Sequence, residues 1–101
     1  MSEVAPGFQV EGERWAPSGP LTMDSVSTVL SASVETALPA SGVVDLEWIE
    51  AVDSAGVALL LAWKRRADAE GKPLVFDHLP ASLASLAQLY GVEEFLVAES
   101  I

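Results

Sequence analysis

Residues 43–63 constrain this chain most, because they read as a buried strand that runs straight into an apolar helix. Val43-Val44-Asp45-Leu46 is a compact β-branched run suited to the middle of a sheet, and Ile49 and Val52 carry an apolar side on toward Asp53. A helix is predicted to begin at Ser54, whose hydroxyl can accept an N–H bond from the first turn. It continues through Val57-Ala58-Leu59-Leu60-Leu61-Ala62-Trp63-Lys64 to about Glu70, where Gly71 stops it. Leu74-Val75-Phe76 then reads as another strand. A strand, a helix and a strand in this order form a crossover between parallel strands, so the fold class is α/β.

The flanking segments extend the pattern. Phe8, Val10 and Trp15, with a Glu-Gly-Glu turn between them, suggest a short hairpin over Phe8 to Ala16. From Asp24 to Leu38, residues Val26, Val29, Leu30, Val34, Ala37 and Leu38 fall near helical spacing, with Thr22 or Asp24 as cap and Pro39 and Gly42 as terminators. A last helix opens at Pro80 or Ala81, places Leu83, Leu86, Ala87 and Tyr90 on one face, and ends at Gly91. Val92 to Leu96 is expected to pack back as a short tail. Two crossovers imply a partly parallel sheet, and so short a chain places its helices mainly on one face.

At 101 residues the chain is long enough for one modest core and too short for two independent ones. Half of it is hydrophobic and 20% is charged, which predicts a globular rather than a disordered chain. Its net charge of -10 would repel phosphate backbones and anionic headgroups, arguing against nucleic acid and for a protein partner. Four of the five basic residues, Lys64, Arg65, Arg66 and Lys72, lie together, either as a solvated helix end or as a patch for an acidic surface. The absence of cysteine excludes disulfides and thiolate chemistry and fits a reducing cytosol. The N-terminus lacks the features of a signal peptide, and the longest apolar run, Val57 to Trp63, is far short of a membrane span.

Two features bear on function. At Asp53-Ser54-Ala55-Gly56 a strand turns into a helix through small residues, and helix N-termini offer N–H groups to a carboxylate, a phosphate or a partner oxygen. The same residues also suit a purely structural role, with Asp53 and Ser54 as caps and Gly56 allowing close packing. The helix that follows is apolar all round. If Val57, Leu60 and Leu61 face the sheet, Leu59 and Trp63 are left over as an exposed interface, unless Trp63 folds down against the last helix.

Catalytic signatures are missing. Ser54 does not sit in a G-x-S-x-G elbow, so pairing with the single histidine, His78, has no sequence support as a hydrolase. No phosphate loop, dinucleotide fingerprint or His/Cys cluster occurs, so neither cofactor nor metal is expected. Glu47, Glu50, Glu93 and Glu94 read as solvated acids.

Val43-Val44-Asp45-Leu46, Val52-Asp53-Ser54-Ala55-Gly56-Val57, and Leu83 to Tyr90 followed by Gly91-Val92 together resemble a STAS domain, most clearly over residues 42–96. Val43 to Trp63 and Leu86-Ala87-Gln88-Leu89-Tyr90-Gly91-Val92 look closest to the MlaB family, the cytoplasmic STAS subunits of Mla phospholipid-transport ABC systems. The resemblance implies a single domain over residues 1–101 with a small mixed sheet of about four strands and three to four helices mainly on one face. It further implies a non-catalytic adaptor that binds the nucleotide-binding (MlaF-like) ATPase subunit and, through it, a membrane permease at the inner membrane. Asp53, Ser54, Ala55, Gly56, Leu59 and Trp63 would form the contact. The alternative is an anti-sigma factor antagonist that binds an anti-sigma kinase and is phosphorylated near Ser54. In that subfamily the usual acceptor is the second hydroxyl residue of the motif, where this chain has Ala55.

Overall fold

The computed structural model describes residues 7–92 and Leu96. Its first elements are β1 (Val10–Glu11), β2 (Arg14–Trp15), β3 (Gly19–Leu21) and α1 (Val26–Val34). There follow β4 (Val43–Asp45), β5 (Ile49–Val52), α2 (Ser54–Ala69), β6 (Val75–Asp77) and α3 (Ala81–Leu89). The main sheet has the order β1-β2-β4-β6, antiparallel only at the β1/β2 hairpin, while β3 and β5 form a separate parallel pair. This is a mixed α/β architecture, as the order of elements suggested, with four strands in the main sheet and three helices among the described residues.

Strand alternation sorts the sheet residues onto two faces. Trp15, Val44 and Phe76 pair across β2, β4 and β6 and are buried. Arg14, Val43, Asp45, Val75 and Asp77 fall on the opposite face. On the buried side Trp15 stands edge-on to Trp63 of α2 at 5.2 Å and to Phe8 at 5.0 Å between ring centroids. Helix α2 is the middle helix, touching α1 on one flank and α3 on the other. That position overturns the expected exposure of Leu59 and Trp63, which are only 2% and 1% exposed. A helix with a sheet beneath it and a helix on each side needs apolar residues on three faces, so the bulky apolar residues Leu59, Leu60 and Trp63 of α2 are taken up within the domain. Trp63 does not fold against the last helix either, since its indole N–H donates to Ser33 Oγ of α1 at 2.9 Å.

Other boundaries moved for local reasons. The expected strand through residues 43–52 breaks in two, because Asp45 Oδ1 accepts the Glu47 N–H at 3.0 Å and Ile49 N–H bonds Leu46 O, bending the chain between β4 and β5. Strand β3 was hidden in Gly19-Pro20, which reads as a turn. It is tolerated because β3 pairs only with β5, with a register shift beside Pro20. Helix α1 starts after Thr22 and Asp24. Ser25 occupies the cap position, but its hydroxyl accepts Thr22 N–H and donates to Pro20 O instead of capping. Both α2 and α3 end as foreseen at glycines, Gly71 and Gly91, with φ of 68° and 71°. In each, the next two N–H groups close onto the last-turn carbonyls, from Gly71 to Asp68 and Lys72 to Ala67, and from Gly91 to Gln88 and Val92 to Ala87. Leu96 is buried in the core. The rest of the expected tail, Glu93 to Phe95, lies outside the described residues.

Candidate docking site at the start of α2

The strand β5 delivers Asp53 to the N-cap of α2 in an extended conformation. One carboxylate oxygen, Oδ1, accepts the N–H groups of Ala55 at 2.8 Å and Gly56 at 3.3 Å, and the other, Oδ2, accepts that of Met23 at 3.0 Å. The Met23 N–H, followed by those of Ala55 and Gly56, holds the Asp53 carboxyl below its ordinary value of 3.8 against a smaller opposing effect of desolvation. Asp53, not Ser54, is therefore the cap, and of the first-turn N–H groups expected to be free for an outside anion, those of Ala55 and Gly56 are already occupied.

Gly56 is buried where α2 crosses β3, and a Cβ there would collide with Leu21 O and lie 2.6 Å from Val52 Cγ2. Of the six residues expected to touch a partner, Gly56, Leu59 and Trp63 face inward, Asp53 and Ala55 are half-buried, and Ser54 is exposed. Ala58, one turn on, is exposed as well. Sequence reasoning missed Met23, which is 75% exposed and tied by its backbone to the same carboxylate. Nothing in Thr22-Met23-Asp24 signals that a residue thirty positions away would hold it.

A second polar group lies at the ends of β4 and β6. Asp45 Oδ1 is 2.9 Å from His78 Nδ1, and Arg14 reaches Asp45 Oδ2 at 3.6 Å and Asp77 Oδ2 at 3.3 Å. Burial works to raise the Asp45 pKa, but the hydrogen bonds from His78 and Glu47 N–H and the charges of Arg14 and His78 leave it below its ordinary value. The His78 pKa is raised, first by the hydrogen bond to Asp45 and further by the charges of Asp45, Glu47 and Asp77, against desolvation. Asp45, Glu47 and His78 bring ligand atoms within 4.8 Å of one another, yet the Asp45 carboxylate is committed to partners within the chain. His78 bonds Asp45, and no Ser54–His78 hydrogen bond occurs among the described residues, so no hydrolytic pair is assembled.

The basic cluster is neither merely solvated nor a free patch. Arg66 donates to Ser33 O and Thr36 O, each at 2.8 Å, and bonds Glu70, while Lys64 donates to Leu74 O. Arg65 and Lys72 are exposed. No helix among the described residues is long and apolar enough to cross a membrane.

With this architecture in view, comparison with known proteins is informative. The chain belongs to the STAS domain family: residues 16–98 match the family described as Mlab, STAS domain. The match extends well upstream of residue 42, taking in β3 and α1. Among solved structures, the anti-sigma factor antagonist SpoIIAA in its unphosphorylated form has the same fold. It is 20% identical with a TM-score of 0.59, covering 92% of this chain and 89% of that one. No curated protein matches the sequence at a significant level.

Proposed function

We propose that this chain is a non-catalytic adaptor that binds the ATPase subunit of an Mla-type phospholipid-trafficking ABC transporter and supports its assembly or activity. The observation that carries the reading is the Asp53 clamp. It fastens the Met23, Ala55 and Gly56 N–H groups to one carboxylate and so ties the segments carrying exposed Ser54 and exposed Met23 into one preformed ledge. A preformed ledge loses little conformational freedom on docking. Leu59 and Trp63 lie in the core instead of forming part of the contact. The match to the MlaB-type family points to the same partner. ATP hydrolysis belongs to that partner, and the chain reaches the permease and the inner membrane only through it, from the cytoplasm.

Anti-sigma antagonism is the second reading, resting on the shared fold with SpoIIAA. Ala55 at the usual acceptor position weighs against it, and a phosphate on Ser54 would meet the ionised Asp53 next to it. Co-purification with an ABC ATPase encoded near a permease gene is expected, with Ser54→Arg abolishing the complex while leaving the fold intact. Retention of the ATPase by the folded Ser54→Arg variant would overturn the docking site. Capture by an anti-sigma kinase, with release on addition of ATP, would favour the second reading.

A further inference from the structure

Trp48 occupies the bend between β4 and β5 and is 53% exposed, unlike the buried Trp15 and Trp63. It borders a shallow groove with Gln9, Glu11, Ser18, Gly19 and Glu50. Ser18 Oγ donates to Gln9 Oε1 at 2.9 Å, so these two satisfy each other on the groove wall. Glu11 and Glu50 are exposed, and neither takes part in a salt bridge among the described residues. No lysine or arginine lines the groove. A groove lined by an exposed indole and two carboxylates attracts a cation twice, through the ring quadrupole and through net charge.

We propose that this groove receives an arginine or lysine side chain of the same ATPase subunit that docks at the start of α2, an inference that rests on the reading above. Charge complementarity selects that occupant: the groove is acidic and aromatic, and the chain as a whole carries -10. Its position fits a single partner. Strand β5 runs from Trp48 to the α2 N-cap, so the groove and Ser54 are at most about 20 Å apart at ~3.3 Å per residue. An interface of ordinary size, on the order of 30 Å across, covers both. Glu50 and Ala51, between them on β5, are both exposed.

The test is the affinity of the full chain for the purified ABC ATPase subunit, measured by calorimetry at two salt concentrations for variants confirmed to be folded by circular dichroism. Trp48→Leu and Glu50→Lys are each expected to weaken binding about tenfold. Trp48→Phe, which keeps a ring face, should lose markedly less than Trp48→Leu, and Glu11→Gln with Glu50→Gln should flatten the salt dependence. Equal losses for Phe and Leu would mean that no cation sits on the ring, overturning the proposal. If the groove variants bind like the parent while Ser54→Arg abolishes binding, the groove is not part of the interface and the docking reading survives. If Ser54→Arg binds normally and the groove variants do not, the groove stands and the ledge falls. Normal binding by all of them would overturn both.

Discussion

Gly56 sits where a methyl group has no room, pressed between Leu21 O and Val52 Cγ2. Alanine favours a helix over glycine by about 1 kcal/mol, but the clash with the β3 backbone outweighs it, and Gly56→Ala is expected to destabilise the domain by about 1–3 kcal/mol in urea unfolding. An unchanged midpoint would mean that β3 can move away freely. His78 is the one non-glycine residue with positive φ among the described residues, at 56°, and that backbone brings its ring to Asp45. Because its folded pKa is raised above the ordinary 6.5, its stabilising effect is complete below that value and is lost as the pH rises through the folded pKa. The depressed Asp45 pKa works in the opposite sense, stabilising above the ordinary 3.8 and failing as the pH falls through the folded value. The pair therefore contributes most between about pH 4 and 6.5. Urea midpoints should fall from pH 6 to pH 9 in the parent, and His78→Asn, which tolerates the same backbone, should remove that part of the slope. The sequence showed one histidine after Phe76-Asp77; its partner thirty-three positions earlier was not readable, because adjacent strand ends bring them together.

Elements are tied to one another by groups that look unremarkable in the sequence. The end of α1 has neither a glycine nor a basic residue of its own, and Arg66 of α2 donates to Thr36 O and adds a further donor to Ser33 O, which also accepts the Thr36 N–H. Its guanidinium also lies 5.9 Å from the centroid of the Trp15 ring. Arg66→Met should cost about 1–3 kcal/mol and should lower hydrogen-exchange protection first at the end of α1, a local signature that general loss of packing would not give. Ser33→Ala strands the buried Trp63 indole N–H, and a loss of about 1–3 kcal/mol is expected. If Trp63→Phe is combined with it, the two losses should fall short of additive, since they break the same bond. Helical spacing located α1, α2 and α3 to within a few residues. It misjudged which face of α2 was free, because periodicity describes one helix and burial depends on how many neighbours that helix has.

Across the whole molecule, fifteen acidic residues face five basic ones, and among the described residues Arg14, Arg66 and Lys72 already take part in salt bridges. Self-repulsion among the remaining acids should exceed the attraction in those pairs, so raising sodium chloride from about 0.02 to 0.3 M is expected to raise Tm by a few degrees. A falling Tm would show that the Arg14 and Arg66 pairs dominate. The same acidity gives the proposed docking face its sign, since Glu50 flanks the groove at one end of β5 and Asp53 caps the helix at the other.

The sequence by itself determined the α/β class, the strand-turn-helix at Asp53 to Gly56, the glycine-ended helices and the family. These depend on local propensity, capping chemistry and spacing, all written in neighbouring residues. Only the tertiary structure decided that Asp53 spends its carboxylate inside the chain, that Trp63 and Leu59 are core, and that Met23 and Trp48 are the exposed apolar residues at the two ends of β5. The physical reason is the central position of α2. With α1 and α3 on its flanks, most of its apolar circumference is consumed internally, and the contacts proposed above lie at the bend before β5 and at the turn into α2.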